Sequence, residues 1–305
     1  MAREQLGICT EANLHGSYLF FNALEGHERV LRHKLARLPQ VFDRLAMHFS
    51  EALLTSVVAV GSNYWDTLYP DARPTGLTPF PDLPTEDIDL AAVPLDLLIQ
   101  IRSDRLDVNF IATQQVLQLL QGHAELQEHV QGFRYLDGRS LTGFIDAPCN
   151  PRGKAKRVAA LVDHAQQPVF AGGSYLYLHC FHFDLVSWQQ LSTEQQESVM
   201  GMDKVSGKPL LPPLQANDSH YVAMQPASDG TFLQQNMPFS QPKLQGMLQL
   251  SYSADAKVLF EQLKHRLGLA DQAWGYDQLL NYSRIDFSAA FFVPSISFLE
   301  LAAKR

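Results

Sequence analysis

The sequence predicts an α+β protein built on antiparallel sheets, and three observations carry that expectation. Between residues 17 and 136, segments of strand and helix periodicity follow one another in the order β-α-β-β-α-β. Segments of both kinds return in the second half, and no repeat of fixed period runs through the chain.

Each element follows from its residues. Residues 17–22 (SYLFFN) are an apolar run of strand length. From 28 to about 51, Val30, Leu31, Leu35, Leu38, Phe42, Leu45, Ala46 and Phe49 recur at helical spacing, with Pro39 marking a kink or a fresh helix start. Residues 55–60 are β-branched and apolar, as a strand requires. A loop holding Pro70, Pro74, Pro79, Pro81 and Pro84 follows, too rich in proline for regular structure. Residues 95–102 (LDLLIQIR) read as a strand. Val108, Ile111, Val116, Leu119 and Leu120 mark the next helix, and residues 130–136 close the set. This is the ferredoxin-like order, an antiparallel sheet with both helices on one face. In the second half, strands are expected at 174–183, 221–224, 247–252 and 289–293, and helices at about 193–201 and 256–267. Two ferredoxin-like lobes are therefore expected, 1–140 and 141–305, with the boundary inside residues 138–151.

Composition limits the function. A chain of 305 residues, 46% hydrophobic and 18% charged, is globular and long enough for two domains. A net charge of −8 argues against a general phosphate-backbone binder, which needs a basic face, so no nucleic-acid partner is expected. Cys9, Cys149 and Cys180 are odd in number, have no C-x-x-C spacing and offer no metal knuckle among themselves, which fits a reducing cytoplasm. Residues 1–16 have mixed charge and no apolar core, unlike a secretory signal. The longest apolar runs, 53–60 and 289–293, fall far short of the roughly 20 residues of a membrane helix. A soluble cytoplasmic protein without a membrane partner is expected.

Several chemical motifs fail on spacing. His179 and His182 are three apart on an expected strand and point to opposite faces, so they cannot chelate together; His27 and His33 lie on different helical turns. Glu86, Asp87 and Asp89 lack the glycine and terminal glutamate of a calcium loop. Gly153-Lys154 has no glycine five residues upstream and is no phosphate loop. The stretch 135–153, YLDGRSLTGFIDAPCNPRG, stands apart: turn-formers Asp137-Gly138 and Asn150-Pro151 present Asp146 between the halves of the chain. Two readings are open for Asp146, a general acid or base at a domain junction and a loop carboxylate capping a nearby amide.

That stretch resembles the distal loop of the bacterial dye-decolourising peroxidases, with Gly143, Asp146, Asn150 and Pro151 in step and Ala147 in place of the last glycine of their G-x-x-D-G pattern. Further matches follow in family order: Gly172-Gly173-Ser174-Tyr175, Asp184-Leu185 with Trp188, Ser219-His220, Asn236-Met237-Pro238-Phe239 and Phe291-Phe292-Val293-Pro294-Ser295. Upstream, VGSNYWDTLYP, PTGLTPFP and LDLLIQIRSDRLDV resemble the N-terminal lobe of that group, so the likeness spans nearly the whole chain.

The resemblance implies one haem b per chain with His220 as proximal iron ligand and Asp146 as the distal acid or base. Gln234 and Asn236 would line the distal side, and Gly143 and Ala147 would belong to the loop over the haem. Hydrogen peroxide would be reduced and a phenolic, dye-like or other small-molecule donor oxidised in one-electron steps, by a homo-oligomer. No shell-targeting tail is expected. Three positions depart from the family. Gln234 stands where a distal arginine is usual, Met202 where an arginine pairs with a haem propionate, and Asn281 ends the D-x-L-L-D pattern whose carboxylate could orient the imidazole. The rival expectation is a haem-binding or haem-handling protein with little peroxidase activity; a haem-free scaffold is the third.

Overall fold

Alternating apolar residues become strands and apolar residues three and four apart become helices along most of the chain. The computed structural model describes residues 2–11, 13–83, 85, 88–212, 214–226, 230–270 and 275–304. The first half runs His15–Ala23 (β1), Glu28–His48 (α1), Thr55–Gly61 (β2), Trp65–Leu68 (α2), Leu97–Ser103 (β3), Leu106–Leu120 (α3) and Ala124–Phe133 (β4). Next come Lys154–Ala160 (α4), Ser174–Phe183 (β5), Leu185–Gln190 (α5), Thr193–Met200 (α6) and His220–Ala223 (α7). Leu233–Gln234 (β6), Met237–Gln241 (β7), Leu244–Ser253 (β8), Ala256–Arg266 (α8), Ser283–Val293 (β9) and Ile296–Ala302 (α9) complete the chain.

All the strands join one antiparallel sheet in the order β4-β1-β3-β2-β9-β5-β8-β6, with β7 also on β8. Counted within each half, and with β6 and β7 together as one strand, both quartets read 4-1-3-2. That is the order of a ferredoxin-like lobe, so the α+β, two-lobed architecture is the one expected. The lobes join where β2 meets β9, at Val60↔Phe292 and Gly61↔Phe291. Gln5 reinforces the seam: its amide donates to Val58 O and Pro294 O, and its side-chain oxygen accepts from Val58 N. At the opposite edge β4 lies beside β7, close enough that a Cβ on Gly132 would meet Met237 Cγ at 2.2 Å.

This arrangement gives the sheet two apolar faces. Tyr18, Phe20, Val57, Leu98, Leu178, Leu250 and Phe291 fill the space enclosed between the lobes. Leu19, Ile99 and Phe292 face the opposite way, against Leu31 and Leu35 of α1, Val116 of α3, Leu259 and Leu263 of α8 and Leu299 of α9. A smaller cluster of Phe144, Trp188, Met200, Met202 and Leu279 forms apart from both, beside the site described below.

Three expectations are corrected. Residues 130–136 were expected to be the fourth strand, but β4 begins at Ala124, because its first half is an edge strand whose polar side chains face water and show no apolar alternation. Residues 221–224 were expected to be a strand, yet His220–Ala223 is one helical turn entered through Ser219, since a four-residue apolar run does not distinguish the two. Of the two readings of Pro39, the fresh helix start is corrected, because α1 runs continuously through it with Pro39 buried. Pro84, Glu86 and Asp87 lie outside the described residues.

The seam between the lobes leaves no room at Gly61, where a Cβ would stand 1.9 Å from Leu95 O, a backbone atom. Overpacking typically costs about 1–3 kcal/mol. Gly61→Ala is expected to lower the free energy of unfolding by at least about 2 kcal/mol in urea titrations; an unchanged midpoint would show that the seam yields freely.

Candidate active site

The loop after β4 is stiff because its polar groups are consumed. Asp146 N donates to Gly138 O (3.1 Å) and Ser140 N to Phe144 O (2.9 Å). The Arg139 guanidinium donates to the carbonyls of Gly143 (2.9 Å), Lys204 (2.6 Å) and Val205 (3.1 Å). Trp188 Nε1 donates to Thr142 O at 3.0 Å, tying the loop to α5. Asn150 closes it onto β6: its amide donates to Gln234 O and its oxygen accepts from Gln234 N, both at 2.8 Å, as a neighbouring peptide would. Ala147 is left with φ +43°, a left-handed conformation in which a Cβ costs roughly 1–2 kcal/mol. The glycine of the family pattern would sit there without that cost.

The result is a fixed carboxyl. Asn236 Nδ2 donates to Asp146 Oδ1 at 2.9 Å. Burial raises the Asp146 pKa above the ordinary aspartate value, against the opposing pull of the Asn236 hydrogen bond, the His220 charge and the Ala147 amide. Asp146 lies deep in the protein but faces a cavity, so its carboxyl remains reachable from within.

An imidazole lines the same cavity. His220 opens α7, and its Nδ1 lies 2.8 Å from Asp277 Oδ2, the same oxygen that accepts from Arg266 Nε at 2.9 Å. Asp277 Oδ1 accepts from Leu279 N at 3.0 Å, and Arg266 Nη1 reaches Gln249 Oε1 at 2.7 Å. Asp277 is fully buried at 0% exposure. Burial alone would raise its pKa, but the charges of His220 and Arg266 and the hydrogen bonds it accepts bring it down to about 2. An ionised Asp277 places the imidazole proton on Nδ1 and leaves the Nε2 lone pair free. Among the described residues Nε2 has no hydrogen-bond partner.

Asp146, Gln234, Asn236 and His220 share one cavity, with apolar walls from Phe183, Met200, Met202, Met224, Met247 and Leu279. Haem needs an axial nitrogen donor and apolar walls, and both are present. Asn236 Oδ1 is buried without a partner, although buried acceptors are nearly always satisfied, which marks a place for a donor group brought by a ligand. The residues fit haem.

The structure separates the expected site residues. Asp146, Ala147, Gln234, Asn236 and His220 line the cavity together. Gly143 does not: it forms a turn with φ +89°, and a Cβ there would meet Lys204 Cε, so its part is to shape the loop. Asn281 is corrected as well. It is exposed, its oxygen accepts from Tyr276 Oη at 2.7 Å, and the carboxylate that orients His220 is Asp277, the first acid of the same pattern. Met202 lines the cavity as an apolar side chain, and no Arg or Lys is among the lining residues. Cys149 and Tyr221, which the sequence did not single out, also line it, with Gln225 Nε2 2.9 Å from Cys149 Sγ.

A free imidazole nitrogen, an ionisable carboxyl facing the cavity and apolar walls, drawn from residues 140–279, define a haem-enzyme site. Comparison with known proteins supplies the family. The models of the Dyp-type peroxidase N-terminal and C-terminal domains match residues 5–134 and 137–298. A dye-decolorizing peroxidase from Rhodococcus erythropolis is 31% identical over 290 residues, covering 93% of this chain and 84% of the relative. The encapsulated DyP-type peroxidase from Mycobacterium smegmatis superposes with a TM-score of 0.93 at 26% identity, covering 98% of each chain. A Rhodococcus jostii DypB variant solved in complex with heme gives 0.90 at 28% identity, covering 96% of this chain and 97% of that one. The chain belongs to the Dyp-type peroxidase family and is a haem peroxidase, an oxidoreductase. Among the described residues no helix is long and apolar enough to cross a membrane.

The strain at position 147 is testable without cofactor chemistry. Ala147→Gly is expected to stabilise the protein by about 1 kcal/mol, read as a raised urea midpoint at unchanged slope. Destabilisation would mean that the left-handed conformation at this position is wrongly placed.

Proposed function

We propose that the chain holds one haem b through His220 Nε2 and reduces hydrogen peroxide with Asp146 as the proton-transfer group, oxidising a phenolic or dye-like small-molecule donor. The observation that carries this reading is the Asp146 carboxyl, held by Asn236, in the same cavity as the one free nitrogen of His220. Haem, when bound, supplies the redox-active iron at which peroxide is reduced.

The protein's own residues do the rest. Asp277 holds the Nδ1 proton, so His220 presents a neutral Nε2 made more basic by the carboxylate behind it. Asp146 accepts a proton from one peroxide oxygen and returns it to the other as the bond between them breaks, so that water leaves; such help is worth about 10²–10⁴-fold. Asn236 keeps Asp146 in position with Nδ2 and offers Oδ1 as an acceptor towards the cavity. Gln234 provides a neutral amide where a guanidinium would place a fixed charge, and the loss of one such donor typically costs about 10²–10³-fold. A cytoplasmic homo-oligomer, with lobes divided as 1–140 and 141–305, belongs to the same proposal.

Two variants of the haem-loaded protein test it. Asp146 must be ionised to take the peroxide proton, and burial raises its pKa. The rate of peroxide reduction is therefore expected to be full above that raised value and to fall as pH drops through it, with a limb above the ~3.9 of a free aspartate. Asp146→Asn should abolish that limb and slow peroxide reduction by about 10²–10⁴-fold with the Soret band retained. An unchanged rate would remove Asp146 from the chemistry and favour a haem-handling role.

Gln234→Arg should accelerate peroxide reduction and move the acidic limb to lower pH, because a nearby cation favours the ionised carboxyl. Equal or slower turnover with an unmoved limb would show that position 234 does not face the reacting oxygens.

A further inference from the structure

A second cluster of ligating side chains lies on the opposite side of the C-terminal lobe. Where β5 pairs with β9 the register slips: Cys180 faces Phe287 and Phe181 faces Ile285, so Asp286 is the extra residue of a β-bulge. A bulge re-aims the side chain of the residue it inserts. Cys180 and His182 are two apart on β5 and share one face, towards the space between the lobes. One ligand atom from each of Cys180, His182 and Asp286 lies within 4.8 Å of the other two, and His182 Nε2 stands 3.9 Å from Asp286 Oδ2. The three line a cleft of about 760 Å³ that Glu128 of β4 also enters, and none of its lining residues belongs to the cavity of Asp146 and His220.

We propose that Cys180, His182 and Asp286 bind a thiophilic divalent cation of the zinc class, with water in the fourth position beside Glu128. A thiolate and an imidazole select such ions over magnesium or calcium, which prefer all-oxygen shells. Tetrahedral zinc with bonds of about 2.0–2.3 Å sets its ligands roughly 3.3–3.8 Å apart. The observed spacing closes to that by side-chain rotation, chiefly of Asp286, whose side chain is 43% exposed. Binding releases the Cys180 thiol proton to solvent, and thiolate and carboxylate together balance the ion's two charges.

Arg284 competes for the same groups. Its Nη2 lies 3.2 Å from His182 Nδ1 and 3.5 Å from Asp286 Oδ1. Donation to Nδ1 keeps the imidazole proton on Nε2, the nitrogen that faces Asp286, so the cation must displace this contact. With its side chain 73% exposed, Arg284 is free to swing out. The bound ion would clip β5 to β9 where their ladder is interrupted.

The test uses the full haem-loaded chain, in which haem occupies His220, titrated with zinc and read by metal content and by the zinc K-edge, which iron does not obscure. One zinc per chain is expected, tighter than about 10 μM, with a single sulfur at about 2.3 Å. Affinity should fall at least tenfold in His182→Ala and Asp286→Asn, rise in Arg284→Ala, and remain unchanged in Cys9→Ser and Cys149→Ser. Zinc should also raise the melting temperature of the parent protein but not that of Asp286→Asn. Cys180→Ser removes the sulfur shell, but the thiol is buried, so the two variants at the cleft edge carry the test should it fail to fold. Zinc bound without sulfur, an affinity indifferent to His182 or Asp286, or no zinc taken up would each overturn the proposal.

Discussion

A carboxylate with no access to water cannot remain charged unless partners surround it, and the site is organised by that constraint at Asp277. Arg266 comes from the end of α8, His220 from the start of α7, and the Leu279 amide from the turn that follows Asp277 itself. The start of α7 and the end of α8 are thereby pinned to the turn that carries Asp277. Removing a single partner from a buried pair of this kind typically costs about 3–5 kcal/mol. Because the carboxylate stays ionised well into acid, it also decides which imidazole nitrogen carries the proton, so the packing requirement and the free Nε2 lone pair of His220 have one cause.

The other wall is built on a different plan, from side chains bonded to backbone. Arg139 spends its guanidinium on three carbonyls, Asn150 imitates a strand neighbour for Gln234, and Trp188 caps Thr142. These contacts fix the loop closely enough to hold Ala147 in a conformation that side chains avoid. Asp146 is positioned by the loop's own geometry, and among the described residues Asn236 alone donates to its carboxyl from outside the loop. A rigid scaffold that over-determines one loop is a common way to fix a polar side chain beside a cavity.

Much of this was legible in the residues. Periodicity located β1, β2, β3, β5, α1, α3, α6 and α8, because each buries one face and leaves the other wet. It missed most of β4, where nearly every side chain is wet, and β6 and β7, where Gln234, Gln235 and Pro238 interrupt any alternation. Asp146, Gln234, Asn236 and His220 were named from their motifs, and they do line one cavity. The partner of His220 was less accessible, since Asp277 and Asn281 stand one helical turn apart in the same pattern and only the fold decides which of them turns inward. Cys180 and His182 share a face by strand parity, yet Asp286 joins them through a register slip that no local pattern announces.

The two walls differ in charge, and that asymmetry bears on how the site can work. Behind His220 the full set of charges is present. Around Asp146, no Arg or Lys lines the cavity among the described residues. Positive charge does exist next door: a chamber of about 700 Å³ shares Asp146, Ala147, Gln234 and Asn236 with the cavity and is lined by Arg102, Arg134, Arg139 and Lys156. Arg139 is committed to carbonyls, Lys156 pairs with Glu11 at 2.5 Å, and Arg102 donates to Thr10 and to Glu11 O. Among the described residues, none of these cations is hydrogen-bonded to the Asp146 carboxyl, which accepts from Asn236. Under the proposed mechanism, with Gln234 at the wall, stabilisation of a departing oxygen would fall to the proton that Asp146 delivers, and burial raises the pKa of that carboxyl. In that reading a neutral Gln234 and a raised Asp146 pKa would act together, since a cation at position 234 would hold the carboxyl ionised and a neutral amide does not.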